Sequence, residues 1–200
     1  MQPTQLRREI RNQRRQLTPQ TLQRHSRQLQ RLAGSFNTFR HSRRIAFYVA
    51  SRGEIDPHPL MMLAFKTGKQ VYLPVLRSRP SNSLWFSAYR PGDRLVNNRY
   101  GIPEPVMHSR GVVMPWSLDM VCVPLVAFDI SGNRLGMGGG YYDRTFAFKH
   151  MRSHWHDPKL IGLAHEFQRV EQLQNQVWDI PLDGVITEQC IYNLQRKQKS

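Results

Sequence analysis

The sequence predicts an α/β fold of Rossmann-like layered architecture: a mostly parallel central sheet with helices on both faces and a basic pair of helices at the N-terminus. Short apolar segments alternate with helical or loop segments from residue 45 onwards. A strand, a helix and a second strand follow one another within about 30 residues, a spacing that favours parallel pairing. The 200 residues are enough for one domain with its own core, and we expect a single domain over residues 1–200.

The N-terminal segment predicts two amphipathic helices. Residues 1–44 contain eleven arginines and one acid, Glu9. Thr18 and Pro19 mark the start of the second helix, because threonine caps helices and proline opens them. Each helix has an apolar face and an arginine-bearing face that we expect to be solvated, with one or two arginines reaching an anionic ligand. The apolar positions are Leu6, Ile10 and Leu17 in the first helix and Leu22, Leu29 and Leu32 in the second.

The remaining elements are predicted in chain order from short apolar runs and their flanking turn residues. Proline near the start of one helix and Gly68 just past its end support that assignment. Pro124 lies inside the fourth strand and predicts a bend there. Strands are predicted at 45–50, 71–76, 84–89, 119–128, 160–164 and 184–187, and helices at 59–66 and 141–150.

The charge indicates an anionic partner. The net charge is +15 at pH 7, which predicts attraction to polyanions. Residues 1–44 alone contribute +10, so the rest of the chain is only mildly basic, and we do not expect nucleic acid as a partner. The rival interpretation is a nucleic-acid-binding protein whose N-terminal arginines hold phosphates.

The cellular setting is predicted from what the sequence lacks. It has no run of roughly 18 apolar residues that could cross a bilayer, and no apolar central stretch of a secretory signal follows the start. The two cysteines, Cys122 and Cys190, are far apart, and Cys122 lies in an apolar strand where a core position is favoured. We therefore expect a cytoplasmic protein without a membrane partner, and a monomer.

A glycine-rich segment, NRLGMGGGYYDR at 133–144, lies between the most apolar strand and a helix. Its glycines leave the backbone free to present successive N–H groups, and the helix that follows adds its positive end, so the segment suits a phosphate. Neither the dinucleotide fingerprint nor the P-loop matches its spacing. The alternative is a tight turn without a ligand.

Several side chains near this segment are candidates for chemistry. Asp143 either holds a Mg²⁺ ion that bridges nucleotide phosphates or is an acid favoured by the helix dipole. Tyr141 and Tyr142 either pack in the core or provide a flat platform for a ring. Glu54 follows the first strand and faces the same crevice at the carboxyl ends of the strands, or is otherwise a solvent-exposed loop acid.

Histidines offer one further pattern in the sequence. His154 and His156 lie beside Asp157, but no other ligand follows nearby, so a surface loop is preferred over a metal site.

Seven blocks of the sequence match one known family. The glycine block RLGMGGGYYD with an upstream AFD is the most specific of them. On these residues the chain resembles the 5-formyltetrahydrofolate cyclo-ligase family, also called 5,10-methenyltetrahydrofolate synthetases, over nearly its whole length. The blocks are LRREIRNQRRQL, FYVASRGEIDPHPL, KQVYLPVL, YGIPEP, VPLVAFDISGNRLGMGGGYYDR, IGLAHEFQ and WDIPLDGVIT.

The resemblance implies an ATP-dependent ring closure that requires Mg²⁺. 5-Formyltetrahydrofolate and ATP would give 5,10-methenyltetrahydrofolate, ADP and phosphate. In the family's chemistry the γ-phosphoryl group is transferred to the formyl oxygen, which is otherwise a poor leaving group. Such a transfer needs positive charge and aligned N–H donors.

The resemblance also implies which residues form the site. Arg134 and Tyr142 would be catalytic, and Asp143 and Asp179 would hold the metal. The ATP-binding residues would be Arg7, Arg134, Leu135, Gly136, Met137, Gly138, Gly139, Gly140, Tyr141 and Tyr142. The folate-binding residues would be Val49, Glu54, Tyr100, Met137, Gly138, Gly139, Gly140 and Tyr141.

One position departs from the family pattern. The family often begins with a lysine, three other residues and an arginine that reach ATP, whereas this chain has Pro3 and Arg7. Arg8 or Arg11 would then compensate for the missing lysine. A further alternative on the same scaffold is a sugar-phosphate or nucleotide enzyme, because similar folds carry unrelated functions.

Overall fold

The computed structural model describes residues 2–77, 82–106, 111–151 and 158–194. The helices are α1 (Pro3–Arg15), α2 (Pro19–Ser35), α3 (Asn37–His41), α4 (His58–Lys66), α5 (Tyr141–Phe146) and α6 (Phe148–Met151). The strands are β1 (Arg44–Ala46), β2 (Gln70–Leu76), β3 (Leu84–Ala88), β4 (Leu95–Asn97), β5 (Pro103–Pro105), β6 (Val112–Val113), β7 (Met120–Pro124), β8 (Ala127–Phe128), β9 (Arg134–Leu135), β10 (Lys159–Leu163), β11 (Gly184–Ile186) and β12 (Ile191–Asn193).

Within these residues, eight strands form one large sheet in the order β12-β11-β10-β7-β1-β2-β3-β6. The five central strands, from β11 to β2, run parallel. The strands at the two edges pair antiparallel. The predicted α/β class with a mostly parallel central sheet is therefore confirmed.

Helices cover both faces of the sheet, as predicted. Successive side chains of an extended strand point to opposite faces. In β7, Met120 and Cys122 join a core with α2 and α4, while Val121 and Val123 join a second core with Phe146 of α5. Cys122 is fully buried, as expected.

The basic N-terminal pair forms as the pattern predicts. The Thr18 hydroxyl accepts a hydrogen bond of 3.2 Å from the Thr21 amide and caps α2. Leu6 and Ile10 of α1 are buried in a small core beside β8. Most of the arginines are exposed: Arg8, Arg15, Arg24, Arg27, Arg31, Arg40, Arg43 and Arg44. Among the described residues, no helix is both long and apolar enough to span a bilayer.

Three predicted elements differ from the structure. The first strand ends at Ala46: the Phe47 amide still donates to the Tyr72 carbonyl of β2, but residues 48–50 line a cavity. The strand predicted at 119–128 breaks after Pro124, and β8 pairs with β9 in a separate hairpin. The helix predicted at 141–150 is divided at Ala147. There the Thr145 hydroxyl donates to the Tyr141 carbonyl at 2.6 Å, a contact that bends helices.

Candidate active site

The glycine-rich loop joins β9 to α5 and is open to solvent. Met137, Gly138 and Gly139 are exposed. Gly138 (φ 97°) and Gly140 (φ 61°) adopt left-handed conformations that favour glycine. A Cβ atom built on Gly138 would meet no heavy atom within 4 Å. The backbone is thus open around Gly138, whereas the side chains of Tyr141 and Arg144 lie close against Gly139 and Gly140.

Arginines of α1 lie against this loop. Arg7 donates from Nε to the Gly136 carbonyl at 2.9 Å, and Nη2 of Arg11 lies 3.9 Å from Sδ of Met137. Nε of Arg11 is buried with no hydrogen-bond partner among the described residues. Beside them is a groove of about 660 Å³, lined by Gln2, Thr4, Gln5, Arg7, Arg8, Arg11, Asn12 and Arg15.

Tyr141 meets Tyr100 and Arg99 at the rim of the loop. The two tyrosine hydroxyls are 2.9 Å apart, and Nη2 of Arg99 donates to the Tyr141 hydroxyl. Burial alone would raise the pKa of Tyr141, but hydrogen bonds from Tyr100 and Arg99 and the charge of Arg144 lower it below its ordinary value. Tyr100 is half exposed, so its ring is accessible to a ligand beside the glycine loop.

Tyr142 points the other way, into the protein. Its ring stacks near Phe146 at 6.4 Å between centroids. Burial, and then the charge of Glu54, raise the pKa of Tyr142 well above its ordinary value, so this hydroxyl keeps its proton.

Arg134 organises the acids that follow the loop. Its guanidinium is bonded to Oδ1 of Asp143 at 2.5 Å and donates to the Ile180 carbonyl. The Ile180 amide donates to the same Asp143 oxygen at 3.2 Å. Because Ile180 directly follows Asp179, the two carboxylates predicted to bind metal come from neighbouring segments. Leu135 instead packs its side chain against the small core below α1.

A cavity of about 800 Å³ opens beside the end of β1. Val49 and Glu54 both line it, whereas none of the residues 134–143 does. Its walls are mainly apolar and aromatic. The lining residues are Pro19, Leu22, Gln23, Ser26, Arg27, Tyr48, Val49, Ala50, Ser51, Arg52, Gly53, Glu54, Asp56, His58, Pro59, Met61, Leu73, Tyr89 and Leu95.

Glu54 is held inside this cavity and is not a solvent-exposed loop acid. Its Oε2 accepts a hydrogen bond of 3.1 Å from the Ser51 amide, and its Oε1 lies 3.8 Å from Nη1 of Arg14. Burial raises the pKa of Glu54, and Arg14 and Ser51 offset only part of this effect. Sequence reasoning missed Arg14, although its spacing of four and eight residues from Ile10 and Leu6 places it on the buried face of α1.

Comparisons with known proteins agree on one family. The model of the 5-formyltetrahydrofolate cyclo-ligase family matches residues 2–188. The 5-formyltetrahydrofolate cyclo-ligase of Escherichia coli (strain K12) is 39% identical over 185 residues, covering 92% of this chain and 98% of that protein. The protein of the same name from Haemophilus influenzae is 38% identical over 186 residues, covering 91% and 95%.

Solved structures agree with the sequence relatives. The NMR structure of Aquifex aeolicus 5,10-methenyltetrahydrofolate synthetase has a TM-score of 0.81 and 32% identity, covering 100% of this chain and 96% of that one. The family resemblance inferred from the seven sequence blocks is confirmed. The chain therefore belongs to the 5-formyltetrahydrofolate cyclo-ligase family, whose members are enzymes.

Proposed function

We propose that this protein converts 5-formyltetrahydrofolate to 5,10-methenyltetrahydrofolate with consumption of ATP, in the presence of Mg²⁺ and with release of ADP and phosphate. The names of its relatives support the reaction. The observation that carries the proposal is the open glycine loop with Arg7 bound to its Gly136 carbonyl.

The Glu54 cavity is the proposed folate site. Its volume of about 800 Å³ falls within the usual range for small-molecule pockets. Val49, Leu73 and Tyr89 offer apolar walls, and the Glu54 carboxylate offers an acceptor for N–H groups of a reduced pterin. Tyr100 does not line this cavity; beside Tyr141 at the glycine loop, it offers a ring against which the substrate can stack.

The glycine loop and α1 are the proposed ATP site. Backbone N–H groups of residues 134–142 would bind phosphate oxygens. Arg7 and Arg11 would add positive charge from the facing helix. Since Pro3 stands where the family often has lysine, we assign the missing cation to Arg11, whose Nη2 lies 3.9 Å from Sδ of Met137 in the loop.

The donor set of Asp143 and Asp179 fits Mg²⁺, which in nucleotide enzymes takes one or two carboxylates together with phosphate oxygens and water. The hydrogen bond from the Ile180 amide to Asp143 supports this pairing, because it joins the two acidic segments. When bound, the ion would neutralise charge on the transferred phosphoryl group. Arg134, bonded to Asp143, would keep that carboxylate oriented.

The proposed chemistry proceeds in two steps. The formyl oxygen attacks the γ-phosphorus of ATP, the bond to the bridging oxygen breaks, and ADP leaves. The folate's second nitrogen then attacks the formyl carbon and loses its proton, and phosphate departs with the former formyl oxygen. Burial and Glu54 raise the pKa of Tyr142, so its hydroxyl keeps its proton and would not act as a base.

An absorbance assay tests the proposal. Purified full-length protein is mixed with ATP, Mg²⁺ and 5-formyltetrahydrofolate, and the absorbance of the methenyl product is followed, with a control that lacks ATP. We expect product only with all three components. ATP hydrolysis that is independent of folate, without methenyl product, would favour a different nucleotide enzyme and contradict the proposal.

Variants test the site separately from the reaction. Asp143→Ala and Tyr142→Ala should abolish turnover while circular dichroism shows a folded chain. Glu171→Gln, an exposed acid, is the matched control and should keep full activity. Turnover at the wild-type level in both alanine variants would remove the site assignment.

A further inference from the structure

Three side chains capable of binding a metal ion meet on the side of the Gly53–Glu54 turn that faces α2. They are His25 of α2, His165 after β10 and Glu188 after β11. The Nδ1 atoms of the two histidines are 3.0 Å apart, and Oε1 of Glu188 lies 3.8 Å from Nδ1 of His25. One ligand atom from each residue lies within 4.8 Å of the other two.

Hydrogen bonds to neighbouring backbone groups orient His165 and Glu188, as is common for the ligands of metal sites. Nε2 of His165 lies 3.2 Å from the Gly53 carbonyl, which can only accept, so that nitrogen carries the proton. Nδ1 of His165 is then unprotonated: it lies 3.0 Å from Nδ1 of His25 and accepts a hydrogen bond from the Gln168 amide, which a bound ion would displace. Histidine ligands commonly donate their second N–H to a carbonyl in this way. Glu188 is fixed similarly, because its Oε2 accepts a hydrogen bond of 3.0 Å from the Glu166 amide.

The distances and the donor types indicate the class of ion. With metal–nitrogen bonds of about 2.0 Å, neighbouring ligands of a tetrahedral zinc ion lie about 3.3 Å apart. The observed separations of 3.0 and 3.8 Å lie on either side of this value. Two imidazoles and one carboxylate suit zinc and similar borderline ions, whereas Mg²⁺ prefers oxygen ligands.

The local charge allows an added cation. Arg14 lies close enough to His165 to act on it electrostatically, but Arg14 is itself paired with Glu54. The Glu188 carboxylate is buried and would gain a counter-ion.

We propose that His25, His165 and Glu188 bind one divalent ion of the zinc class, at a site distinct from Asp143 and Asp179. The ion would connect α2 with the ends of β10 and β11. Through the bond from His165 to Gly53 it would also hold the turn that carries Glu54. This inference does not depend on the reaction proposed above.

Metal binding to the full-length protein tests the proposal directly. The protein is stripped with a chelator and then titrated with Zn²⁺ in competition with a chromophoric chelator, in buffer that contains excess Mg²⁺. We expect one Zn²⁺ per chain, and a melting temperature that rises with Zn²⁺ concentration because the ion binds the folded state. Absence of stoichiometric binding by the wild-type chain would overturn the proposal without any variant.

Substitutions identify the ligands. His25→Gln and Glu188→Gln should weaken Zn²⁺ binding by at least about 100-fold and remove the rise in melting temperature. His41→Gln, an exposed histidine on α3, is the matched control and should bind as the wild type does. Binding at the wild-type level in both His25→Gln and Glu188→Gln would show that the ion lies elsewhere.

Two competing ligand sets are excluded by further experiments. Cys190, an exposed thiol near Glu188 in sequence, would give a thiolate charge-transfer band when Co²⁺ is used as the probe. We expect tetrahedral Co²⁺ bands in the visible region without that band. The double variant with His154→Gln and His156→Gln, at positions outside the described residues, should leave binding unchanged. A thiolate band, or loss of binding in that double variant, would overturn the assignment.

Discussion

Arg14 and Glu54 form an ion pair in the interior, with Nη1 of Arg14 3.8 Å from Oε1 of Glu54 and only 2% and 11% of the two side chains accessible. Arg14 belongs to α1, and Glu54 follows β1. Arg14 also donates from Nη2 to the Leu125 carbonyl. Arg14 thereby joins α1 to two places: the residue that follows β7 and the loop that carries Glu54, the candidate folate ligand.

The first prediction concerns this ion pair. Arg14→Met should lower the free energy of unfolding by about 3–5 kcal/mol, because it leaves a buried carboxylate without its counter-charge. Glu54→Gln in the same chain should recover part of that loss. Urea denaturation of the two single variants and the double variant, analysed as a cycle, measures the coupling.

The control for the pair is the next residue along the helix. Arg15 is exposed, so Arg15→Met should change the free energy of unfolding by less than about 0.5 kcal/mol. Equal losses in Arg14→Met and Arg15→Met would mean that helix propensity, and not the pair, is being measured.

The sequence predicted the parallel centre of the sheet because buried parallel strands are continuous apolar runs. The short strands outside this parallel centre lacked that signal. β5 spans Pro103–Pro105, and two of its three residues are prolines, which are rare in strands. β6 has only two residues, Val112 and Val113. β5 forms because β4 offers backbone hydrogen-bond partners, and β6 forms because β3 does. Local composition does not reveal such pairing.

In the candidate site, too, the sequence predicts features formed by consecutive residues but not contacts between residues far apart in the chain. The glycine block could be recognised because all of its residues are consecutive. The helical spacing of Arg14 indicated its buried position, but neither its pairing with Glu54 nor the cluster of His25, His165 and Glu188 could be recognised, since those partners come from separate elements. Sequence proximity instead drew attention to His154 and His156, which lie outside the described residues.

The second prediction uses the cysteines to test the core. Cys122 is buried in β7, where burial also raises the pKa of its thiol, whereas Cys190 is exposed. A chromogenic disulfide reagent at mildly alkaline pH should therefore modify one thiol rapidly, and the second only after unfolding. Cys190→Ser should remove the rapid phase. Two rapidly reacting thiols in the native protein would contradict the central position of β7.

The third prediction concerns the ionisation of Tyr141. Hydrogen bonds from Tyr100 and Arg99 and the charge of Arg144 lower its pKa despite some burial. As pH rises, a tyrosine should therefore ionise below the ordinary pKa of about 10. The near-ultraviolet absorbance of tyrosinate follows this titration, and Tyr141→Phe should remove its lowest-pH component.

Two further substitutions check the cause of that shift. Arg99→Gln should move the first ionisation to higher pH, because it removes the hydrogen bond and the charge that favour the phenolate. Tyr192→Phe should leave the low-pH component unchanged, since burial and Glu166 raise the pKa of Tyr192 to about 12. If Tyr141→Phe has the same titration as the wild type, the Tyr141–Arg99 contact is wrong.

The fourth prediction compares two glycines of the loop and depends on the proposed reaction. Gly138 has φ of 97°, whereas Gly136 has no positive φ and open space around it. Gly138→Ala should force the backbone out of its conformation and lower kcat/KM for ATP at least tenfold. Gly136→Ala should stay within about twofold of wild type. Steady-state kinetics with varied ATP measures both.

A substitution at Gly68, just past the end of α4, distinguishes the effect of backbone strain from the effect of lost phosphate binding. It also has a positive φ, 73°, and a Cβ built on it would meet no atom within 4 Å. Gly68→Ala should therefore cost about 1 kcal/mol of stability through the same strain, yet leave kcat/KM for ATP unchanged. If Gly138→Ala lost stability but kept its activity, as expected for Gly68→Ala, the loop would be a structural turn and its amides would not bind the triphosphate.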